Sequence, residues 1–365
     1  MKILLICSTS NSIIGFRKKL IEKLIENNHK IVAIAFDSKN KNQIESMGIE
    51  FYNVEDNNRS INPLKILTLK NKLFKIIKKV NPTRVVTFML KPNVFGVLAA
   101  KKAKVKKVYS MVEGAGDAFV RTGAKWGLIR TIVCMLYRRA FKYSTKVIFL
   151  NTDDRKEFID KKLVVPQKAL LINGIGVDVE HFNFKKPHVS ETMEFLMVSR
   201  LMKTKGIFEY CEAARKVKEA GYNAVFNLLG GSGTESIDDI KEYIKEGSVN
   251  YLGETNNVIP YLEKTNVLVL PSYREGLPMS VMEAESVGRA IIVSDVPGCR
   301  DSIIDKYNGE FVKAKDVDSL AQKMEEFIND KGKVLSYSLN SRRLAEERFD
   351  QKKINEMLVT IICGE

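Results

Sequence analysis

The chain is poor in cysteine and histidine, and no long apolar run occurs in its 365 residues. Its five cysteines, Cys7, Cys134, Cys211, Cys299 and Cys363, are scattered and make no CxxC. An odd, unclustered set of this kind argues against a disulfide scaffold or a zinc site and fits a reducing compartment. The three histidines, His29, His181 and His188, include no pair at metal-ligand spacing. No stretch approaches the ~18 consecutive apolar residues needed to cross a bilayer. Met1 leads straight into the strand-like KILLIC, so no secretory leader is expected. No G-x-G-x-x-G follows that strand, which weighs against a dinucleotide cofactor. Internal repeats and low-complexity tracts are also missing.

What is present suits two domains. The length fits the rough span of ~100–200 residues per domain, and an apolar content of 45% can fill two cores. Strand-like runs alternate with helical ones throughout: Lys2–Cys7, His29–Phe36, Glu50–Val54, Arg84–Phe88, Val105–Met111, Lys146–Leu150 and Lys168–Asn173, then Glu194–Val198, Ala224–Leu229, Val249–Gly253, Val267–Leu270 and Ala290–Ser294. Such alternation predicts α/β domains with doubly wound parallel sheets. Domains are expected at 1–182 and 183–345, with a terminal helical piece at 346–365.

The net charge of +15 is unevenly placed. Residues 1–180 hold 34 Lys/Arg against 15 Asp/Glu, a balance of +19, while the remainder hold 25 against 29, or −4. An excess confined to one half points to an anionic partner of that half, a membrane surface or a nucleic acid.

The most informative stretch is residues 267–285, VLVLPSYREGLPMSVMEAE. A buried parallel strand, Val267–Leu270, is stopped by Pro271. A short loop ends in Gly276 and Leu277, and Pro278 takes the first helical position, where its missing N–H costs nothing. Met279, Val281 and Met282 are expected to face a core. Glu275 then lies just past the strand, and Glu283 about a turn and a half into the helix. The free N–H groups between them make an anion site. Arg200 and Lys205 in SRLMKTKG leave another strand end together; a forked guanidinium and a mobile ammonium suit a diphosphate. The loops GGSG, from Gly230, and NYLG, containing Leu252, flank the same crevice. In the first half, Glu113 in VEGAG stands where strand-end loops bind ligands, a candidate for the acceptor side. Gly15, after STSNSII, either lets a ligand approach the backbone or eases a turn into a helix over Gly15–Glu26.

The E-x7-E spacing, the surrounding PSYREGLP and the later VSDVPGCRD together resemble the retaining glycosyltransferases of family 4. That resemblance implies a GT-B fold, two facing Rossmann-like domains with the active site between them, and a last helix crossing back to the first domain. It implies that Glu275 holds the donor sugar, Glu283 the donor ribose, and that Arg200 and Lys205 neutralise the donor diphosphate. The donor, a uridine diphosphate sugar, is then a substrate; no cofactor is expected, and no metal. The passage KPNVFGVLAAKKAKVKKVYSMVEGAG is similar to bacterial members that extend sugars on undecaprenyl diphosphate. This implies a lipid-linked saccharide acceptor, an N-acetylhexosamine such as N-acetylgalactosamine as the sugar, and work at the cytoplasmic face of a bacterial membrane. The family has a His near Glu113 in many members, and this chain does not.

Residues 126–143, WGLIRTIVCMLYRRAFKY, predict a helix with an apolar stripe of Ile129, Ile132, Val133, Leu136 and Ala140. Trp126, Arg130, Arg138 and Arg139 are expected at its ends and far side, either as solvated flanks of a core helix or as contacts to an anionic bilayer. Nucleic acid is not an expected partner. Competing readings are a GT-B sugar-nucleotide epimerase, a Rossmann oxidoreductase, or a non-enzymatic basic protein binding membrane or nucleic acid.

Overall fold

The computed structural model describes residues 1–56, 63–121 and 123–364. These fall into two compact units, Met1–Ile175 with Lys353–Glu365, and Gly176–Lys352. Each is a Rossmann-like parallel sheet covered by helices.

In the first unit the strands are β1 (Lys2–Ile6), β2 (Lys30–Ala35), β3 (Glu50–Asn53), β4 (Arg84–Phe88), β5 (Lys107–Val112), β6 (Lys146–Phe149) and β7 (Ala169–Leu171). They lie in the order β3-β2-β1-β4-β5-β6-β7, all parallel. Ile3 pairs with Ile31 on one side and Arg84 on the other. The chain reverses its direction of winding between β1 and β4, the place where such sheets open a ligand crevice at their carboxyl ends. β1 and β4 are apolar almost throughout because helices cover both sheet faces.

The second unit contains β8 (Met193–Val198), β9 (Ala224–Leu229), β10 (Asn250–Tyr251), β11 (Val267–Leu270), β12 (Ala290–Ser294) and β13 (Gly309–Val312). Their order is β10-β9-β8-β11-β12-β13, again parallel. β13 is a strand that sequence reading missed. Its four residues, GEFV, begin with a glycine and carry a glutamate, so their apolar signal is weak. The twelve expected strands are all present, each within two residues of the expected bounds.

Two helices differ from expectation. The helix read as Gly15–Glu26 begins earlier and breaks: Ser10–Phe16 is one helix and Lys18–Glu26 another. Thr9 caps the first by accepting from the Ser12 N–H, and Arg17 at the break has φ −117° and ψ −4°. Gly15 therefore lies within a helix, exposed, with open space around it. In the helix Ala124–Phe141, Val133 and Ala140 of the expected stripe are buried and Ile129 and Leu136 pack against the core, joined by Tyr137 and Phe141; only Ile132 of that stripe is exposed. Tyr137 and Phe141 pack with Phe119 and Phe149 around the buried ring of Phe158, at centroid separations of 5.2–6.3 Å from it. Among the described residues no helix is long and apolar enough to cross a membrane.

The last helix, Gln351–Cys363, buries Ile354, Leu358 and Ile362. The buried Arg84 donates to the carbonyls of Ile362 and Cys363 at its carboxyl end and to the Tyr109 hydroxyl at 2.9 Å. A cation there offsets the partial negative charge of the helix terminus.

Candidate functional site

In the second unit three loops meet beyond the strand ends. Pro271 to Pro278 follows β11 and leads into the helix Met279–Val287. The loop after β8 is stitched to it by the Tyr273 N–H donating to the Thr204 carbonyl at 2.9 Å. The loop after β12 is stitched by the Glu275 N–H donating to Pro297 O at 3.0 Å. Gly206 makes the first junction possible. Its φ is +78°, and a Cβ would lie 2.2 Å from the Pro271 carbonyl oxygen. Gly298 does the same for the second, with φ +82° and a Cβ that would meet the Glu275 carbonyl oxygen at 2.3 Å. Only glycine meets both demands at such positions.

These stitches bring the expected residues together. Lys205 Nζ donates to both carboxylate oxygens of Glu275, at 2.6 and 2.8 Å. The pair is mostly covered, with Lys205 25% and Glu275 10% exposed. Arg200 is exposed, Glu283 is half-buried, and both line a cavity of about 350 Å³ together with Gly230 and Gly231. That volume lies in the usual range for small-molecule sites, ~300–1,000 Å³. Burial raises the Glu283 carboxyl from 4.5 to about 7, because a desolvated carboxylate is the disfavoured form.

The helix start is one residue later than expected. Pro278 is the capping position, with φ −74° and ψ 117°, and Met279 is the first helical residue. Val281 and Met282 are fully buried as expected, while Met279 is only half-buried. Gly276, Leu277, Pro278 and Met279 form the turn between the two glutamates; they do not line the cavity. Leu252 also lies outside it, with its N–H donated to Leu228 O at 2.9 Å.

Of the rest of the cavity, the loop after NYLG was expected at the crevice without its residues being singled out, and His181 and Phe182 were missed. Glu254, Thr255, Asn256 and Asn257 follow β10, and His181 and Phe182 end the first expected domain, leading into the linker that joins it to the second. The signal available was the polar run ETNN directly after a short strand; nothing in the passage before the linker marked His181.

In the first unit Glu113 follows β5 and forms an ion pair with Arg17, a residue that sequence reading passed over. Arg17 is 2% exposed, and its guanidinium lies 4.4 Å from the centre of the Phe88 ring at the end of β4. Burial lowers its pKa to about 10. Glu113 is 20% exposed, so a buried cation presents a partly open carboxylate at the sheet's carboxyl edge.

The residues expected at a membrane also make contacts within the first unit. Arg130 donates to the carbonyls of Ala118 and Arg121 at 2.7 and 2.8 Å, and Arg138 to those of Lys162 and Lys161 at 3.1 and 2.9 Å. Both hold neighbouring turns. Trp126 is half-buried beneath the Arg121 guanidinium, 4.9 Å from its ring. The exposed apolar residues of this helix are Leu128, Ile132 and Met135, at 65%, 47% and 60%. Arg139 is exposed on the same stripe.

Among the described residues no cluster of three or more His, Cys, Asp or Glu could hold a metal ion. One D-x-D occurs in the sequence, Asp316-Val317-Asp318. It is a helix start: Asp316 accepts from the Ser319 N–H at 3.0 Å, and Asp318 pairs with Lys216.

Residues 2–151 match the family described as glycosyl transferase 4-like, and residues 178–344 match glycosyl transferases group 1. The chain is 29% identical over 353 residues to the N,N'-diacetylbacillosaminyl-diphospho-undecaprenol alpha-1,3-N-acetylgalactosaminyltransferase of Campylobacter jejuni, covering 93% of each. It is 28% identical to the UDP-Gal:alpha-D-GlcNAc-diphosphoundecaprenol alpha-1,3-galactosyltransferase of Escherichia coli, over 75% of this chain and 73% of that one. Among solved structures, Anabaena HepE in complex with UDP matches over the full length of both chains, with TM-score 0.81 and 16% identity.

Proposed function

We propose, from the premise that this chain belongs to the GT-B glycosyltransferases, that it moves a sugar from a uridine diphosphate sugar to a saccharide carried on undecaprenyl diphosphate. The observation that carries the reading is the convergence of the R-x4-K and E-x7-E residues in one unit. Lys205 meets Glu275, while Arg200 and Glu283 line one cavity. Breaking the anomeric bond builds negative charge on the leaving diphosphate. Arg200, Lys205 and the N–H groups at the start of Met279–Val287 are the groups that stabilise it, in the way preorganised donors do elsewhere. Glu275 takes the sugar hydroxyls and Glu283 the ribose hydroxyls.

Two cations and a helix terminus supply the charge that a metal would otherwise provide, so the reaction is proposed to need none. Transfer is proposed to retain the anomeric configuration, as in glycosyltransferase family 4, by attack from the face that the diphosphate leaves. The leaving phosphate takes the acceptor proton. Glu113, held by Arg17, is the acceptor-side carboxylate. The two undecaprenyl-linked relatives support the acceptor class, and the Campylobacter relative supports N-acetylgalactosamine as the sugar.

An acceptor of this kind lies in a bilayer. The exposed stripe Leu128, Ile132 and Met135, with Lys125, Arg139 and Lys142 at its two ends, is proposed to rest on the anionic inner face of the cytoplasmic membrane.

The test is transfer from a panel of uridine diphosphate sugars to short-chain undecaprenyl-diphosphate saccharides in EDTA, with the product anomer read by NMR. An α-linked product in chelator is expected. A β-linked product, loss of turnover in EDTA, or a trapped glycosyl adduct on Glu113 or Glu275 contradicts the mechanism. Conversion of the nucleotide sugar with no acceptor present points instead to an epimerase.

A further inference from the structure

The residues assigned to two different parts of the donor are bonded to each other. Lys205, assigned to the diphosphate, spends two of its three N–H donors on Glu275, assigned to the sugar. This is not a loose surface pair, which would hold little energy. Both side chains are largely covered, and each springs from a loop whose backbone is fixed to its neighbour. The glycines at 206 and 298 hold those loops too close to drift apart. Arg200, in contrast, is exposed on the cavity wall and has no ion-pair partner among the described residues. Among the described residues, the resting site therefore offers a free cation in Arg200 and an occupied one in Lys205.

We propose that Glu275 competes with the nucleotide's diphosphate for Lys205, which makes the site discriminate a nucleoside diphosphate sugar from the bare nucleoside diphosphate. The inference rests on the donor reading above. With a sugar present, its hydroxyls hydrogen-bond the Glu275 carboxylate and take the place of the ammonium, so Lys205 is released to the diphosphate. With no sugar, nothing occupies Glu275, and Lys205 stays divided between a carboxylate and a phosphate. Bare uridine diphosphate is then held weakly and leaves soon after transfer. A carboxylate placed only to recognise sugar would affect a ligand that lacks one through charge repulsion alone, equally with and without Lys205.

The test is calorimetric binding of uridine diphosphate, and of the uridine diphosphate sugar that the protein turns over, to wild type, Glu275→Gln, Lys205→Gln and the double variant. Stopped-flow release of uridine diphosphate is followed in parallel, and folding is verified by circular dichroism. Glu275→Gln is expected to bind uridine diphosphate about tenfold tighter than wild type and release it about tenfold more slowly, while losing affinity for the sugar nucleotide. In the Lys205→Gln background the same change is expected to bring no gain. Unchanged or weaker uridine diphosphate binding by Glu275→Gln overturns the proposal. A gain that persists without Lys205 also overturns it, since it would arise from charge repulsion alone. Glu275→Ala, which also removes the carboxylate, decides the matter if Glu275→Gln does not fold. Failure of wild type to bind any nucleotide would be a different result, sinking the donor reading itself.

Discussion

At the scale of single residues, Glu283 sets a pH dependence whose sign can be worked out. Burial raises its pKa from 4.5 to about 7. Between those values the folded protein binds a proton that the unfolded chain does not, so this group's contribution to the free protein's stability falls as pH rises through that window. Ribose hydroxyls donate to the carboxylate, so donor binding favours the ionised form. Donor affinity should therefore rise about tenfold between pH 6 and pH 8, one pH unit below and above that pKa. In Glu283→Gln the profile should be flat, and a flat wild-type profile would remove Glu283 from the ribose. Residues differ in how readable they are. Glu275 and Glu283 were legible because they follow the strand-stopping Pro271 at a fixed spacing, and Lys205 because it leaves a strand end with Arg200, just before Gly206. Arg17 was not, since an arginine beside Lys18 and Lys19 in the first turn of the helix expected over Gly15–Glu26 reads as surface; only the packed Phe88 ring and Glu113 reveal it as buried.

At the scale of elements, the strands were legible because parallel sheets covered on both faces demand unbroken apolar runs. In the helix Ala124–Phe141 the pattern is less decisive, and of the expected stripe Ile132 falls on the outer side. Leu128, Ile129, Ile132, Val133, Met135 and Leu136 are apolar on two sides, so periodicity alone cannot choose the inward one. The aromatic cluster chooses it, placing Tyr137 and Phe141 against Phe158 and leaving Leu128, Ile132 and Met135 outside. Two consequences separate packing from membrane contact. Phe158→Ala empties the centre of the cluster and should cost about 3–5 kcal/mol in denaturant unfolding, as large aromatic truncations do; a cost under 1 kcal/mol would show that the cluster does not hold the helix. Leu128→Asp with Ile132→Asp should leave unfolding nearly unchanged but reduce co-sedimentation with anionic vesicles at least tenfold. Unaltered sedimentation would dismiss this stripe as the membrane contact.

At the scale of the molecule, charge and motif divide along the chain. The +19 of residues 1–180 faces the question of acceptor and membrane, and the −4 remainder carries the donor motifs. Basic residues near an anionic leaflet contribute about 1 kcal/mol each and act only within a Debye length of roughly 8 Å at physiological salt. Vesicle binding should therefore weaken steeply between 50 and 300 mM salt, while donor binding in the second unit changes far less; parallel salt dependence of the two would tie them to one surface. Lys205 and the glutamates around it are proposed to form a donor site. Its most direct measurement is thermal unfolding of wild type and Lys205→Ala with uridine, guanosine and adenosine diphosphate sugars. A ligand at a hundredfold excess over Kd stabilises by about 2.7 kcal/mol. A clear rise in Tm with a uridine diphosphate sugar in wild type, largely lost in Lys205→Ala, is the predicted result. An equal rise in both proteins, or none with any sugar nucleotide, would contradict it.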